Sequence, residues 1–329
     1  MSPFFEKRRR LLAAAAVVCS LPVAAAATAQ SYPSKRITIL VPFSTGSAAD
    51  VGVRVVAQKI SESVKQTIVI ENQAGVSGLL GSERVAKATP DGYFLGGLGD
   101  AALNFAANLA PTLNFDPVNG FQPIGLIATV PWTVVVSPAF GPKTLSEFIA
   151  AARAKPGAID YGSGGTGSAS HIGMEMLAAQ AKIKLHHVPY KGITPAVTDV
   201  AGGQVQAVFA AVSLVLPFIK SGRLVVLGMP SEKRSAMLPE VPTFAEAGMQ
   251  GFNFVTWIGL FAPKGTPRTV TNVLNAETNK AVADTGVRER LLAFGLEPAT
   301  STPEQLGERL RTGYERVAKI VREANIKAE

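Results

Sequence analysis

The chain has 329 residues, 47 % of them hydrophobic, and a formal charge of +8; this composition excludes a disordered chain and allows two domains of about 150 residues with real cores. Its basic residues are scattered without interleaved aromatics, which excludes nucleic-acid binding. A single cysteine, Cys19, excludes a disulfide framework and a thiolate metal site.

Residues 1–29 read as an export signal. Lys7, Arg8, Arg9 and Arg10 precede the apolar run 11–18, and Ala27-Thr28-Ala29 has the small-x-small form of a cleavage site. The run falls short of the roughly 20 residues that span a bilayer, which argues against an N-terminal anchor. Cleavage after Ala29 would place the mature chain in the periplasm; Arg8-Arg9 before Leu11-Leu12 leaves Sec and twin-arginine export both open. Cys19 follows Val18, where a lipoprotein site needs a small residue. The leader holds four basic residues against Glu6, so five of the eight positive charges stay with the mature protein.

Beyond the leader, β-branched runs at 37–41, 67–71, 93–97, 132–136, 159–162, 185–189, 205–209 and 224–227 alternate with helical patterns. That alternation predicts α/β layers with parallel strands. The first run leads through VPFSTGSAAD (41–50) into a helix on which Val53, Val56, Ala57, Ile60 and Val64 keep helical spacing. The turn-rich stretch LNFDPVNGFQ (113–122) and the stretch 249–261 bracket two passages between domains. Thr144 with Glu147 and Thr243 with Glu246 have capping-box spacing, and Thr302-Pro303 opens a last helix carrying Leu306, Leu310, Tyr314, Val317 and Val321 on one stripe.

The stretch IDYGSGGTGSASHIGMEML (159–177) contains GxGxxG at Gly162, Gly164 and Gly167. Dinucleotide binding also requires an acid about 20 residues further on for the ribose, and no Asp or Glu lies between Met176 and Thr198. Ser163, Ser168 and Ser170 lie near His171, but none sits in a GxSxG elbow. Ser168 and His171 at i, i+3 are more simply a helix cap and a first-turn residue. A periplasmic serine hydrolase using Ser168 and His171 stands as the alternative reading. His186 and His187 are adjacent and point to opposite faces of a strand, so the three histidines make no metal site. Neither a metal nor a cofactor is expected.

What remains is a pair of similar devices, VPFSTGSAAD and YGSGGTGSASH (161–171), each a strand end, a run of hydroxyl and glycine residues, and a helix N-terminus. Facing each other, two such mouths would clamp a carboxylate. Each N-terminus favours an anion by about 0.3–2 kcal/mol. Hydrogen bonds to a charged group add roughly 1.5–3 kcal/mol each. Three or four of them reach the roughly 8 kcal/mol of a micromolar complex after the entropy costs. Asp100, after the Gly-rich run 96–99 at a strand end, reads either as a turn or cap residue or as a border of the cleft.

These segments, together with ENQAGVSGLLGSERVAKATPDGYFL, HVPYKGITPAVTDVAGGQVQ, LPEVPTFAEAGMQGF and the turn 257–263, resemble in order and spacing the extracytoplasmic solute-binding receptors of tripartite tricarboxylate transporters, the Bug receptor family. The resemblance runs from Tyr32 nearly to the C-terminus. It implies a two-domain periplasmic-binding-protein fold of type II, with residues 30–131 and 256–329 forming the first domain and 132–255 the second. It also implies a monomer that encloses a small organic carboxylate and hands it to membrane permease subunits or to a membrane sensor, without chemistry. Carried over by position, the binding residues are Phe43, Ser44, Thr45, Gly46 and Ser47, then Ser163, Gly164, Gly165, Thr166, Gly167 and Ser168, with His171 nearby. Asp50 matches an acidic residue better suited to a cap or structural bond than to the ligand. Thr45-Gly46-Ser47 stands where the family usually has Pro-Gly-Gly, and Gln206 where an aspartate is common. With Gln206 neutral and Asp100 the pocket's carboxylate, a monocarboxylate or an amino or hydroxy acid would be preferred over a tricarboxylate.

Overall fold

The computed structural model describes residues 32–323 and residue 326. The leader, its Ala29 cleavage site and Cys19 lie outside the described residues.

The chain opens with β1 (Ile37–Val41), whose residues alternate between two apolar layers: Ile37, Ile39 and Val41 face one, and Leu40 faces the other. Helix α1 (Ala48–Val64) carries the chain over to β2 (Ile68–Asn72), which pairs in parallel with β1. After α2 (Leu79–Ala86), β3 (Phe94–Gly99) joins the other side of β1, also in parallel. A π-helical turn, Ala101–Ala106, and the short helical piece Ala107–Leu109 then lead toward β4 (Phe121–Val136).

The second half is built from α3 (Leu145–Ala154), β5 (Asp160–Ser163), α4 (Ala169–Ala181), β6 (His186–Pro189), α5 (Ile193–Ala201), β7 (Ala207–Ala211), α6 (Val212–Lys220) and β8 (Val225–Gly228). The chain returns as β9 (Val255–Pro263), inserted antiparallel between β3 and β4, and ends with α7 (Arg268–Ala283), α8 (Thr285–Ala293), β10 (Glu297–Pro298) and α9 (Pro303–Glu323). Among the described residues the strands form one sheet in the order β2-β1-β3-β9-β4-β7-β5-β6, with β8 and β10 also pairing with β4.

Strand β4 belongs to both halves. It pairs with β9 from Phe121 to Pro131 and with β7 from Trp132 onward, and Trp132 Nε1 donates to Thr256 Oγ1 (2.9 Å) beside this exchange. Strand β4 runs in the same sense as β1 and β3, because β9 is antiparallel to both β3 and β4; β7 and its parallel neighbour β5 run the opposite way. The C-terminal ends of β1 and β3 therefore lie at the edge that β4 leaves, and those of β5 and β7 at the edge it enters. All four ends open on one seam.

Both faces of each half are covered, which is why the parallel strands are apolar on both sides. In the first half, Val53, Val56, Leu274 and Leu291 of α1, α7 and α8 pack one face, while Val85, Leu306 and Leu310 of α2 and α9 pack the other. In the second half, Phe148 and Leu177 of α3 and α4 oppose Val197 and Val215 of α5 and α6. Burial of each such side chain stabilises the fold by about 1.5–3 kcal/mol. Thr302 and Gln305 form a reciprocal capping box at the start of α9. Thr243 and Glu246 form the same box at a turn that never becomes a helix.

Candidate functional site at the seam

The loop between β1 and α1 is held from below and open above. Ser47 caps α1 by accepting the Asp50 N–H (3.3 Å). Asp50, 1 % exposed, accepts from the Gly46 N–H (2.9 Å), Arg54 Nε (2.8 Å) and Asn72 Nδ2 (2.8 Å). Burial would raise its pKa, but the bonds from Arg54, Gly46 and Asn72 outweigh burial and hold the carboxyl below its ordinary range. Asn72 at the end of β2 also donates to the Phe43 carbonyl (3.0 Å), and its oxygen takes the Thr45 hydroxyl (3.2 Å). Ser44, Thr45 and Gly46 are exposed, whereas the Phe43 ring packs where a Cβ on Gly78 would stand.

Gly78 closes a rare left-handed turn. Gly75, Val76, Ser77 and Gly78 all have positive φ (146°, 46°, 53° and 94°), and Val76 is 65 % exposed. A β-branched residue in this region costs roughly 1–2 kcal/mol.

The loop between β5 and α4 is half-buried and bonded to itself. Ser168 caps α4 by accepting the His171 N–H (3.4 Å) and pairs with the Ser170 hydroxyl (2.8 Å). Backbone donors of the glycine run are taken by side chains: Gly164 N–H by Ser170 Oγ (2.9 Å), Gly165 N–H by Ser163 Oγ (3.1 Å) and Gly167 N–H by His171 Nδ1 (2.9 Å). Gly167 needs its glycine, since φ is +75° and a Cβ there would collide with Leu109 Cδ1. Ser168 is thus a cap, and His171 Nδ1 accepts a backbone amide.

Beneath this loop lies a layer absent from the sequence expectations. The His187 ring stacks on His171, with centroids 3.9 Å apart and planes 5° from parallel, and its Nε2 lies 2.6 Å from Ser163 Oγ. Tyr161 stacks beyond His187 (5.0 Å) and donates its hydroxyl to Glu175 (2.5 Å); burial first, then Glu175, raises the Tyr161 pKa far above its usual value. The strand alternation in the sequence carried the only signal. It turns His186 outward to Asp160 (2.7 Å) and His187 inward.

The topology thus brings Phe43 to Ser47 and Ser163 to Ser168 to one seam, and it treats the two expected selectors differently. Asp100 lies at the seam, but its carboxyl accepts from the Trp257 N–H (3.0 Å) and contacts the Asn104 amide (2.5 Å) under α9. Gln206 lies just before β7, at the edge of the half away from the seam, where its side chain accepts from the Asp160 N–H (2.9 Å).

Comparison with known proteins gives a consistent picture. A family model described as the tripartite tricarboxylate transporter family receptor matches residues 52–326. A protein from Pseudomonas sp. (strain P51), described as a UPF0065 protein in the tcbD-tcbE intergenic region, is 39 % identical over 299 residues, covering 91 % of this chain and 89 % of the relative. MatC from Rhodopseudomonas palustris, solved with bound malate, superimposes with a TM-score of 0.72 at 30 % identity, over 88 % of this chain and 100 % of that one. An R. palustris protein solved with adipate gives a TM-score of 0.77 at 28 % identity, over 90 % of this chain and 99 % of that one.

Proposed function

The chain belongs to the receptor family of the tripartite tricarboxylate transporters, a family of periplasmic solute-binding receptors, and from that premise we propose how this member works. It binds a small organic carboxylate at the seam, between residues 43–47 and residues 163–168, and passes it to membrane permease subunits or a membrane sensor. Residues 30–131 with 256–329 act as one domain and 132–255 as the other, and the monomer performs no chemistry on its solute. Export with removal of the leader after Ala29 delivers it to the periplasm. Among the described residues no helix is long and apolar enough to cross a membrane.

The observation that carries this reading is the convergence of two strand-to-helix loops, each rich in hydroxyls and glycine, on one seam of a shared sheet. Malate and adipate in the related structures support a carboxylate as the solute class. The test is a thermal-shift screen of the mature protein against mono-, di- and tricarboxylates, aromatic acids and amino acids. Stabilisation by an acid, absent with its methyl ester and without turnover, is expected. Turnover of activated esters that disappears in Ser168→Ala would overturn it in favour of the hydrolase.

A further inference from the structure

Under α9, sharing no residue with either loop of the clamp, lies a cavity of about 340 Å³. One wall is a single face of that helix, where Arg309, Thr312 and Arg316 follow one another at i, i+3 and i+7. The other wall is Asn253 and Trp257, where the chain passes back into β9, and Asp100 closes the buried end.

Among the described residues the two arginines of this cavity have no carboxylate bound to them: neither Arg309 nor Arg316 makes an ion pair, whereas Arg311 on another face of α9 is held by both Glu308 and Glu315 at 2.7 Å. Arg316 donates to the Asn253 carbonyl (2.9 Å), a neutral acceptor. Two acids line the cavity with them. Glu308 is held by Arg311 (2.7 Å), and Asp100 is a poor counter-ion: burial pushes its pKa up to about 7, against the pull of Asn104, Arg316 and Arg309. Desolvation lowers the pKa of Arg316, Asp100 raises it, and the Arg309 charge lowers it again. Two guanidinium groups that feel each other, beside one carboxylate already engaged by Arg311 and another whose charge burial disfavours, leave room for an added anion. A guanidinium matches carboxylate and phosphate oxygens in two-pronged fashion, and a pair of them fits an oxyanion better than a single point charge.

We propose that the cavity under α9 is a second anion site, separate from the solute clamp, in which Arg309 and Arg316 hold a small oxyanion of the phosphate or dicarboxylate type. Its occupant bridges α9 to the strand crossing at Asn253 and Trp257. Occupancy therefore ties the C-terminal helix to the place where the two halves of the sheet meet.

The test is calorimetric titration of the mature protein, in chloride buffer of fixed ionic strength, with inorganic phosphate and separately with malonate. Saturable binding is expected in one or both arms: phosphate alone identifies a phosphoryl ligand, malonate alone a dicarboxylate, and both a site that reads charge. The paired substitution Arg309→Gln with Arg316→Gln should weaken that binding at least tenfold, while Lys319→Gln and Thr166→Val should leave it within twofold. Both arginines reach solvent, and far-UV circular dichroism checks that the variant is folded. The proposal is overturned if neither anion saturates by 10 mM (about 2.7 kcal/mol of binding free energy). It is equally overturned if the paired variant binds as well as the parent, or if binding is lost in Thr166→Val and kept in the paired variant.

Discussion

His171 and His187 lie ring on ring, 3.9 Å apart, and each fixes a different point of the same glycine-rich loop: His171 holds the Gly167 amide and His187 holds the Ser163 hydroxyl. Ser163 in turn accepts the Gly165 N–H, so the loop's shape depends on a ring that reaches it through Ser163. His187→Phe keeps an aromatic ring for the stack and removes the bond to Ser163. A hydrogen bond of this kind is worth about 0.5–1.5 kcal/mol. Calorimetry with the acid found in the ligand screen should therefore show a two- to tenfold weaker complex, restored in part by His187→Gln. Unchanged affinity in His187→Phe would remove His187 from the support of the site.

Thr166 is the half-buried hydroxyl residue at the centre of that loop. Thr166→Val should weaken carboxylate binding by about 1–3 kcal/mol, because it replaces a polar group by an apolar branch where charge has to be met. Lys319, exposed and far along α9, serves as the control; its charge reversal should change little. Equal affinity for an acid and its methyl ester would show that the carboxylate is not the handle.

Asp100 makes stability depend on pH in an unusual direction. Its folded-state pKa is raised from 3.8 to about 7. Between those values the native state holds a proton that the unfolded chain has released, so stability falls as pH rises from about 4 to about 7 and is level above that. A tenfold change in proton affinity corresponds to about 1.4 kcal/mol, which limits the effect to about 4 kcal/mol. The local geometry fits a protonated acid: Asn104 Oδ1 is buried without a partner, and turning that amide over sets its oxygen 2.5 Å from Asp100, a normal O–H···O length. Urea unfolding of Asp100→Asn should show a gain at pH 8 over the parent that shrinks toward pH 4. A gain independent of pH would contradict a proton held at Asp100.

Val76 offers the simplest stability gain. Asparagine tolerates the left-handed region that valine resists, and at 65 % exposure the side chain has little packing to lose. Val76→Asn should add about 1 kcal/mol and raise Tm by roughly 2–4 °C. A lower Tm would mean that Val76 makes a contact worth more than its strain.

The sequence was most readable where one period governed a whole element. Alternation in 37–41 and the stripe Val53, Val56, Ala57, Ile60 fixed the β1-α1 unit, and the hydroxyl before a helical run marked the cap at Ser168, whereas at α1 the cap is Ser47 and not Asp50. It was least readable in the crossing strands. Pro123, Gly125 and Pro131 break the pattern of β4, and the strand absorbs them by register shifts at Pro123/Gly125 and Leu126/Ala128, so only its second part, 132–136, reads as a strand. Arg309, Arg316 and His187 gave no motif because their partners come from segments remote in sequence. Asn72 was missed for the same reason: its role appears only once β2 lies beside β1 and its amide reaches Asp50 and Phe43.

Strand β4 is an inner strand twice over, flanked by β9 and β10 before Pro131 and by β7 and β8 after Trp132. Melting either half would strip its partners from one length of a continuous strand and expose the ladder of the other at the break. Such an arrangement couples the halves into one cooperative unit. Heat or denaturant should remove both in a single transition, and a chain cut at residue 131 would leave two pieces that each lack half of a central strand.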